Sequence, residues 1–206
     1  MVATDGHRLA YIEQRVDVKD YAGEKRTLIP RKTLVELHTL LAVCPEDDFL
    51  FAEDETNLFF GLGRRVLTAR ELAGVFPNYR DVLPNSNDKV AVLNQGELAT
   101  SILRVAQFGE DHGSSVTFHL QKNELTVKAN SEEGESQDTL STLYELEPLT
   151  VKFNSQYLLQ FLKAVGETDQ IKLALKDARS AGEIIPMVDS ATDTECQYRY
   201  IVMPLR

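Results

Sequence analysis

The chain has 206 residues, of which 43% are hydrophobic and 26% are charged, so it can form one large folded domain or two small ones. Its formal net charge of −10 argues against simple phosphate neutralisation as a way of holding nucleic acid, because that requires a basic surface. Its apolar runs are far shorter than the roughly 20 residues that a membrane-spanning helix needs, so we expect no such helix.

Three segments repeat one pattern, in which a short β-type run leads through a proline or an asparagine into apolar residues at helical spacing. The punctuating residues are Pro30, Asn94 and Asn154, which lie about 60 residues apart, as expected of a repeated structural unit. Pro30 suits the first turn of a helix, and the two asparagines suit helix N-caps. The repeat predicts helices over residues 31–43, 95–106 and 155–165.

Between the helices the hydrophobic pattern changes to period two, which is typical of half-buried strands. Strands are predicted over residues 57–62, 65–69, 116–120, 125–129 and 171–176, and β-type runs precede the helices at 27–30, 90–94 and 149–154. A lone strand is predicted over 8–16. The unit is therefore strand, helix and three strands, and two such units make an α+β domain with antiparallel sheets and two helices on one side.

The number of units predicts the domain organisation. One unit precedes Asn78 and two follow it, so the first half of the first domain is expected to be missing. The segment Phe76–Pro84 contains two prolines, which disfavour helix and central strand, and it is typical of a connector. We expect a partial domain over 1–76, a connector over 77–88 and a complete two-unit domain over 89–206.

Three separated segments carry further information. Ala3–Ala10 reads Ala-Thr-Asp-Gly-His-Arg-Leu-Ala, and its Asp-Gly pair indicates a turn that leads into a strand. The second segment is the connector. The third is the C-terminus, Tyr198–Arg206, which is unusually apolar for a chain end. It predicts either an edge strand that closes the last sheet or the wall of an apolar groove for a partner.

Together the three segments, in this order, resemble the bacterial β sliding clamp family, the processivity subunit of DNA polymerase III. The resemblance covers the whole chain, beginning partway into the family's middle domain. It implies the DNA-clamp fold, with sheets outside and helices on the inner face of a ring. It also implies a head-to-tail homodimer of full-length subunits around duplex DNA, and no catalytic activity.

The resemblance further implies a peptide cleft between the middle and C-terminal domains for the polymerase III alpha subunit, clamp-loader subunits and repair proteins. The matching positions here are Thr4, Gly6, His7, Arg8, Leu9, Pro77, Val82, Ile201, Met203, Pro204, Leu205 and Arg206. An apolar centre with a polar rim is the expected anatomy of such a pocket. Asp81 stands where many relatives carry a basic or amide residue, which leaves polar contacts at that rim open.

A ring reconciles the acidic composition with a DNA partner, because topological linkage needs only weak, sequence-independent contacts. The expected DNA-facing residues are Arg31, Lys32, Arg104 and Lys163, on the helices. Acidic groups such as Glu46–Asp48 and Glu53–Glu55 are expected to face outward. Gln107 and Phe108 match the region of the family's dimer interface, although Phe108 also suits the core.

Two other function classes compete with the clamp. An enzyme would use Asp5 and His7 for acid–base chemistry, or His112 and His119 as metal ligands, but no catalytic or nucleotide-binding motif accompanies them. A free-standing peptide-binding module would keep the cleft without encircling DNA. No cofactor is expected. Cys44 and Cys196 lie in no disulfide or zinc pattern, and we expect no signal peptide, which favours the cytoplasm.

Overall fold

The computed structural model describes residues 1–16, 25–44, 49–108, 115–132, 134–166, 168–187 and 196–206. The chain forms two compact units, Met1–Asp17 with Tyr79–Arg206, and Val18–Asn78. We call them the first unit and the second unit. The number of repeats predicts a domain boundary at the connector, 77–88. In the structure, residues 8–14 of the N-terminal hairpin pair with residues 196–202, which joins the hairpin to the C-terminal part of the chain.

The elements follow one another along the chain with bounds close to those that the hydrophobic pattern predicts. In chain order they are β1 (Val2–Thr4), β2 (Arg8–Gln14), α1 (Arg31–Val43), β3 (Phe49–Glu53), β4 (Asn57–Leu62), β5 (Arg65–Arg70), a 3₁₀ turn (Tyr79–Asp81), β6 (Lys89–Asn94), α2 (Gln95–Ala106), β7 (Ser115–Gln121), β8 (Glu124–Ser131), β9 (Gly134–Ser141), β10 (Leu149–Asn154), α3 (Ser155–Val165), β11 (Gln170–Leu175), β12 (Gly182–Met187) and β13 (Cys196–Val202).

The first unit contains two antiparallel sheets built from two repeats. The larger sheet has the order β1-β2-β13-β12-β11-β6, and the smaller has the order β10-β7-β8-β9. The first strand of each repeat lies in the sheet of the other repeat, because β6 pairs with β11 and β10 pairs with β7. This exchange ties the two repeats into one domain.

Helices α2 and α3 pack against each other and against the sheets. Their apolar faces meet the strands in one core, where Phe161 stacks on Tyr200 with ring centroids 4.6 Å apart. The N-cap asparagines begin both helices. Asn94 accepts a hydrogen bond from the N–H of Glu97, and Asn154 accepts from the N–H groups of Gln156 and Tyr157. Each cap satisfies donors that a helix terminus otherwise leaves unpaired.

The second unit contains one helix and the three-stranded sheet β3-β4-β5. Leu37 of α1 packs on Leu58, Phe60 and Leu62, which alternate along β4 and so point to one face. Among the residues that the structure describes in this unit, these four form the buried apolar cluster. It is small beside the core of the first unit.

The predicted helices, the strand patterns between them and the α+β architecture with antiparallel sheets are confirmed. Three details of the prediction were wrong. Residues 27–30 form no regular strand, and Pro30 precedes the first turn of α1 rather than lying in it. Strand β13 is interior, between β2 and β12, because the N-terminal hairpin covers its outer side. The strand predicted over 8–16 is β2, which pairs with β1 and with β13.

No helix within the described ranges is both long and apolar enough to cross a membrane.

The substitution Asn154→Ala tests the capping argument. It removes the acceptor for two N–H groups at the start of α3, so we expect the free energy of unfolding to fall by about 1 kcal/mol. Urea unfolding followed by circular dichroism measures the change. Gln160→Ala, at an exposed position in the same helix, is the control and should change stability far less; equal effects would contradict the capping argument.

Candidate functional site

The loop between β1 and β2 is held by its own side chains. Gly6 adopts a φ of 88°, a left-handed conformation that glycine takes without steric cost. Thr4 Oγ1 donates to the carbonyl of Arg8 at 2.7 Å and accepts from the Gly6 N–H at 3.1 Å. Asp5 Oδ1 accepts from the N–H groups of His7 and Arg8 at 3.1 and 3.2 Å. The loop is therefore ordered from Thr4 to Arg8.

Arg8 connects this loop to helix α3. Its Nε donates to Asp5 Oδ2 at 2.9 Å, and its guanidinium carbon lies 4.3 Å from the centroid of the Tyr157 ring, a cation–π distance. Its Nη1 lies 3.5 Å from the hydroxyl of Tyr200, which itself donates to the Tyr157 carbonyl at 2.9 Å. Arg8 thus holds the loop against a helix and an interior strand.

The charge of Asp5 is stabilised by the same contacts. Partial burial works to raise the pKa of the carboxyl group, but the hydrogen bonds from Arg8 and from the N–H groups of His7 and Arg8 outweigh it. The pKa of Asp5 therefore lies below its ordinary value. Burial raises the pKa of Tyr200, which keeps its hydroxyl protonated as a donor.

The C-terminal segment runs beside the loop. Leu9 and Ile201 are directly opposite each other on β2 and β13, and both are buried. The Met203 N–H donates to the His7 carbonyl at 2.9 Å, which continues the pairing beyond β13. The Leu205 N–H then donates to the carbonyl of Lys152, on β10, at 2.7 Å. The tail therefore passes from the end of β13, inside the larger sheet, to β10 at the edge of the smaller sheet.

The second half of the connector lies on the same face of the larger sheet as Leu9 and Ile201. The ring of Tyr79 is 5.9 Å from that of Tyr11, and Nη2 of Arg199 donates to the Pro84 carbonyl at 3.4 Å. Arg199 also forms an ion pair with the buried Glu183, on β12. Tyr11 and Arg199 are directly opposite on β2 and β13. The connector is thus fixed at both ends of residues 79–84, with Val82 between them.

The structure brings together the predicted cleft residues of the first unit, while Pro77 is an exposed residue of the second unit. Leu9 and Ile201 are buried and support the surface from below. The exposed apolar side chains of the connector and the tail are Val82 at 46%, Met203 at 40% and Leu205 at 36%. Thr4, Gly6, His7 and Arg206 are exposed, and Pro204 and Arg8 are partly buried.

The sequence prediction did not include Tyr157, Arg199 and Glu183, which position the segments. Arg199 alternates with Tyr198 and Tyr200 along β13, and this period of two indicates that it points away from the core. Tyr157 lies in the first turn of α3, between Ser155 and Leu158. The sequence offers no comparable sign that it meets Arg8.

The helices are less acidic than the rest of the chain. Together they contain four Lys or Arg residues and two Glu residues, in a chain of net charge −10. Arg31, Lys32 and Lys163 are exposed, and the ion-paired groups within the described ranges do not include them. Arg104 pairs with Asp138, on β9, at 2.8 Å. The predicted acidic group Glu46–Asp48 lies outside the described residues.

Gln107 and Phe108 follow directly after α2. The Phe108 N–H donates to the Val105 carbonyl at 3.1 Å, and the Phe108 side chain is 56% exposed. Phe108 is therefore not a core residue. Gln107 is also exposed.

Asp5 and His7 do not form a catalytic pair. Asp5 accepts from the backbone N–H of His7, while its second carboxylate oxygen accepts from Arg8. The His7 ring instead lies near Tyr157, with ring centroids 6.4 Å apart. His119 Nδ1 is 2.8 Å from the Thr150 hydroxyl, and His112 lies outside the described residues.

A groove of about 360 Å³ lies between α2 and β9, and none of the predicted cleft residues lines it. The Arg104–Asp138 ion pair crosses its wall. Ser101 Oγ is buried at its floor without a hydrogen-bond partner among the described residues.

Comparison with protein families matches residues 1–78 to the central domain of the DNA polymerase III beta subunit and residues 80–206 to its C-terminal domain. The two matches meet inside the connector. The chain belongs to the DNA polymerase III beta subunit family.

Members of this family from several bacteria resemble the whole chain. The beta sliding clamp of Vibrio cholerae is 31% identical and that of Haemophilus influenzae is 32% identical, each over 100% of this chain and 54% of the relative. A sliding clamp structure from Bartonella birtlesii gives a TM-score of 0.88 at 32% identity over 57% of that chain. One from Caulobacter crescentus gives 0.88 at 27% identity over 53%. The chain spans about half the length of these relatives.

Titration of Asp5 tests the hydrogen bonds that hold the β1–β2 loop. Because the folded-state pKa is depressed, the contacts of Asp5 stabilise the fold above its ordinary pKa, and this contribution is lost as pH falls through the folded-state value. In Arg8→Gln we expect the Asp5 pKa to rise only part of the way to its ordinary value, since the two backbone N–H bonds remain. Carbon-detected NMR of the carboxyl group measures both proteins. An unchanged Asp5 pKa in Arg8→Gln would contradict the proposed role of Arg8.

Proposed function

We propose that the chain serves as part of a DNA sliding clamp, a non-enzymatic processivity factor of the replicative DNA polymerase in the cytoplasm. Its role is to bind short linear motifs of the polymerase III alpha subunit, clamp-loader subunits and repair proteins. The observation that supports this role is the set of contacts by which β2 and β13 hold three segments: the β1–β2 loop, the connector and the C-terminal tail. Because the chain belongs to the DNA polymerase III beta subunit family, we relate this surface to the partners of a sliding clamp.

The surface has the properties that a peptide site needs. Its apolar side chains, Val82, Met203 and Leu205, are exposed without being mobile chain ends, because backbone hydrogen bonds hold the flanking residues. Small, exposed apolar anchors on a rigid support suit the aliphatic and aromatic residues of a short motif. Thr4, Gly6, His7 and Arg206 supply polar groups near them, and Arg8 supports the loop through Asp5 and Tyr157. We propose that Pro77, Leu9, Ile201 and Pro204 complete the site.

The positions of the exposed Lys and Arg residues on the helices support the proposal that DNA is a partner. A ring subunit holds duplex DNA by encirclement, so weak and sequence-independent contacts suffice. We propose that Arg31, Lys32 and Lys163 face the phosphates in the complete ring, with Arg104 contributing less because it pairs with Asp138. The acidic groups of the strands and loops would then face away from DNA.

In the complete ring of full-length subunits, Gln107 and Phe108 are proposed to contact the neighbouring subunit of the homodimer. An exposed phenylalanine directly after a helix is a suitable anchor for such an interface.

Substitutions in the tail test the peptide site. We expect Met203→Ala with Leu205→Ala to weaken binding of a fluorescent peptide that carries the clamp-binding motif by roughly tenfold or more, because two exposed anchors are removed. Fluorescence anisotropy measures the Kd. Leu146→Ala, a similarly exposed leucine outside the site, should leave the Kd unchanged. The peptide site would be excluded if both variants bound as well as the unaltered chain.

Substitutions on α1 test the DNA-facing charges. We expect Arg31→Gln with Lys32→Gln to weaken binding to duplex DNA at low salt and to reduce the slope of log K against log salt by about 2, one counterion for each contact. Lys122→Gln, in the exposed turn between β7 and β8, is the control. An identical salt slope in the α1 variant would remove these residues from the proposed DNA contact.

Retention on DNA separates the clamp from a free-standing peptide-binding module. A clamp is retained on nicked circular DNA in gel filtration and is lost when the circle is cut, since only topology holds it. Peptide binding with no difference between circular and linear DNA would favour the module.

A further inference from the structure

Within the first unit, the connector is held against successive strands of the larger sheet. The ring of Tyr79 lies 5.9 Å from that of Tyr11, on β2. Two residues before the middle of the strand order changes to β12, Nη2 of Arg199, on β13, donates to the Pro84 carbonyl at 3.4 Å. Asn87 then donates through Nδ2 to two carbonyls at either end of the β11–β12 turn, at 3.0 and 2.9 Å. The connector therefore crosses the sheet before it enters β6.

Arg199 makes two contacts with one guanidinium group. Its Nε forms an ion pair with Glu183, on β12, while its Nη2 reaches the Pro84 carbonyl. Glu183 is directly opposite Ile201, and Arg199 lies two residues before Ile201 on β13, so all three point to one face of the sheet. Because the guanidinium is planar, the contact with Glu183 also fixes the direction of the donor that bonds Pro84.

The burial of Glu183 indicates that this pair does more than stabilise the fold. Glu183 is 7% exposed, and a buried carboxylate is costly unless a cation and hydrogen bonds compensate it. Apolar side chains of similar volume often stabilise such a position as well or better. The second contact of Arg199, with the connector, is therefore the one whose role needs explanation.

That second contact lies next to an exposed anchor of the proposed peptide surface. Val82 is two residues before Pro84, and its side chain is 46% exposed. Its N–H donates to the Tyr79 carbonyl at 3.0 Å, which closes a turn on one side of it. The Arg199–Pro84 contact restrains the backbone on the other side. Without that restraint, the backbone around Val82 would gain conformations that a binding partner must then remove.

We propose that Arg199 is a positioning residue of the peptide surface. Glu183 orients its guanidinium, and the guanidinium holds the Pro84 carbonyl so that Val82 is presented in one conformation to an apolar side chain of the peptide. This inference rests on the proposed function. It adds that peptide affinity depends on an ion pair that acts through the backbone of the connector.

The substitution Arg199→Lys separates this role from folding. A lysine keeps a positive charge beside Glu183 but lacks the planar fork that reaches both partners, so we expect the urea midpoint of unfolding to change little. The Kd for a fluorescent peptide with the clamp-binding motif should rise about three- to tenfold, as expected for the loss of one hydrogen bond. Arg179→Lys, the same change at an exposed position in the β11–β12 turn, is the control.

The outcomes distinguish this inference from the proposed function. If the unaltered chain binds the peptide and Arg199→Lys binds it as tightly as Arg179→Lys does, the positioning role is overturned and the peptide site stands. If the unaltered chain does not bind the peptide, the proposed function fails and the positioning role fails with it.

Hydrogen exchange of the chain without peptide measures the connector directly. We expect the Val82 N–H to exchange about three- to tenfold faster in Arg199→Lys than in the unaltered chain, because one restraint next to its turn is lost. Equal exchange rates at Val82 in Arg199→Lys and the unaltered chain would overturn the positioning role, whatever the peptide affinity.

Two further variants address the fold and the anchor. Arg199→Met with Glu183→Leu leaves no unpaired buried charge, so the chain should fold, yet its Kd should rise as in Arg199→Lys; an unaltered Kd would contradict the proposal. In a Val82→Ala background, Arg199→Lys should change the Kd much less, because the side chain that it positions is absent. An equal effect in both backgrounds would show that Arg199 does not act through Val82 and would overturn the proposal.

Discussion

The pairing of β2 with β13 is the contact on which the rest of the site depends. It joins residues near the two ends of the chain in seven consecutive pairs, from Arg8 with Val202 to Gln14 with Cys196. This register has two consequences. It turns Leu9 and Ile201 to one face of the sheet, where the connector lies. It turns Arg8 to the other face, where the guanidinium reaches α3. A shift of one residue would exchange these faces and remove both arrangements.

The same pairing explains why an apolar surface can remain exposed near a chain end. Each exposed anchor is adjacent to a backbone that is already bonded: His7 with Met203, Lys152 with Leu205, and Pro84 with Arg199. Under the proposed function, a partner would meet a surface whose conformational entropy was lost on folding, which reduces the cost of binding. The helices carry four Lys or Arg residues and two Glu residues, whereas the chain as a whole is acidic.

The sequence was sufficient to predict the helices and most strands, because both depend on local spacing of apolar residues and on caps such as Asn94 and Asn154. The three segments of the site were also identified from the sequence. What it could not predict was pairing between distant residues. A sheet edge was one of the two predictions for the C-terminal segment, because no local pattern indicates that Arg8–Gln14 pairs with β13. Segment 27–29 has the composition of a strand, but a strand also needs a neighbour, which composition does not supply. The contact of Arg8 with Tyr157 depends on the same long-range register.

The alternating anchors of the C-terminal tail have a mechanical consequence. Met203 and Leu205 each donate one backbone hydrogen bond, to different sheets, and Pro204 between them has no N–H to donate. A segment fixed at alternate residues can release its outer anchor first, so the end of the chain can leave β10 while β13 stays fully paired. The last hydrogen bond of the chain is therefore independent of the pairing that holds Leu9 and Ile201, and its loss would leave every strand pair of the larger sheet intact.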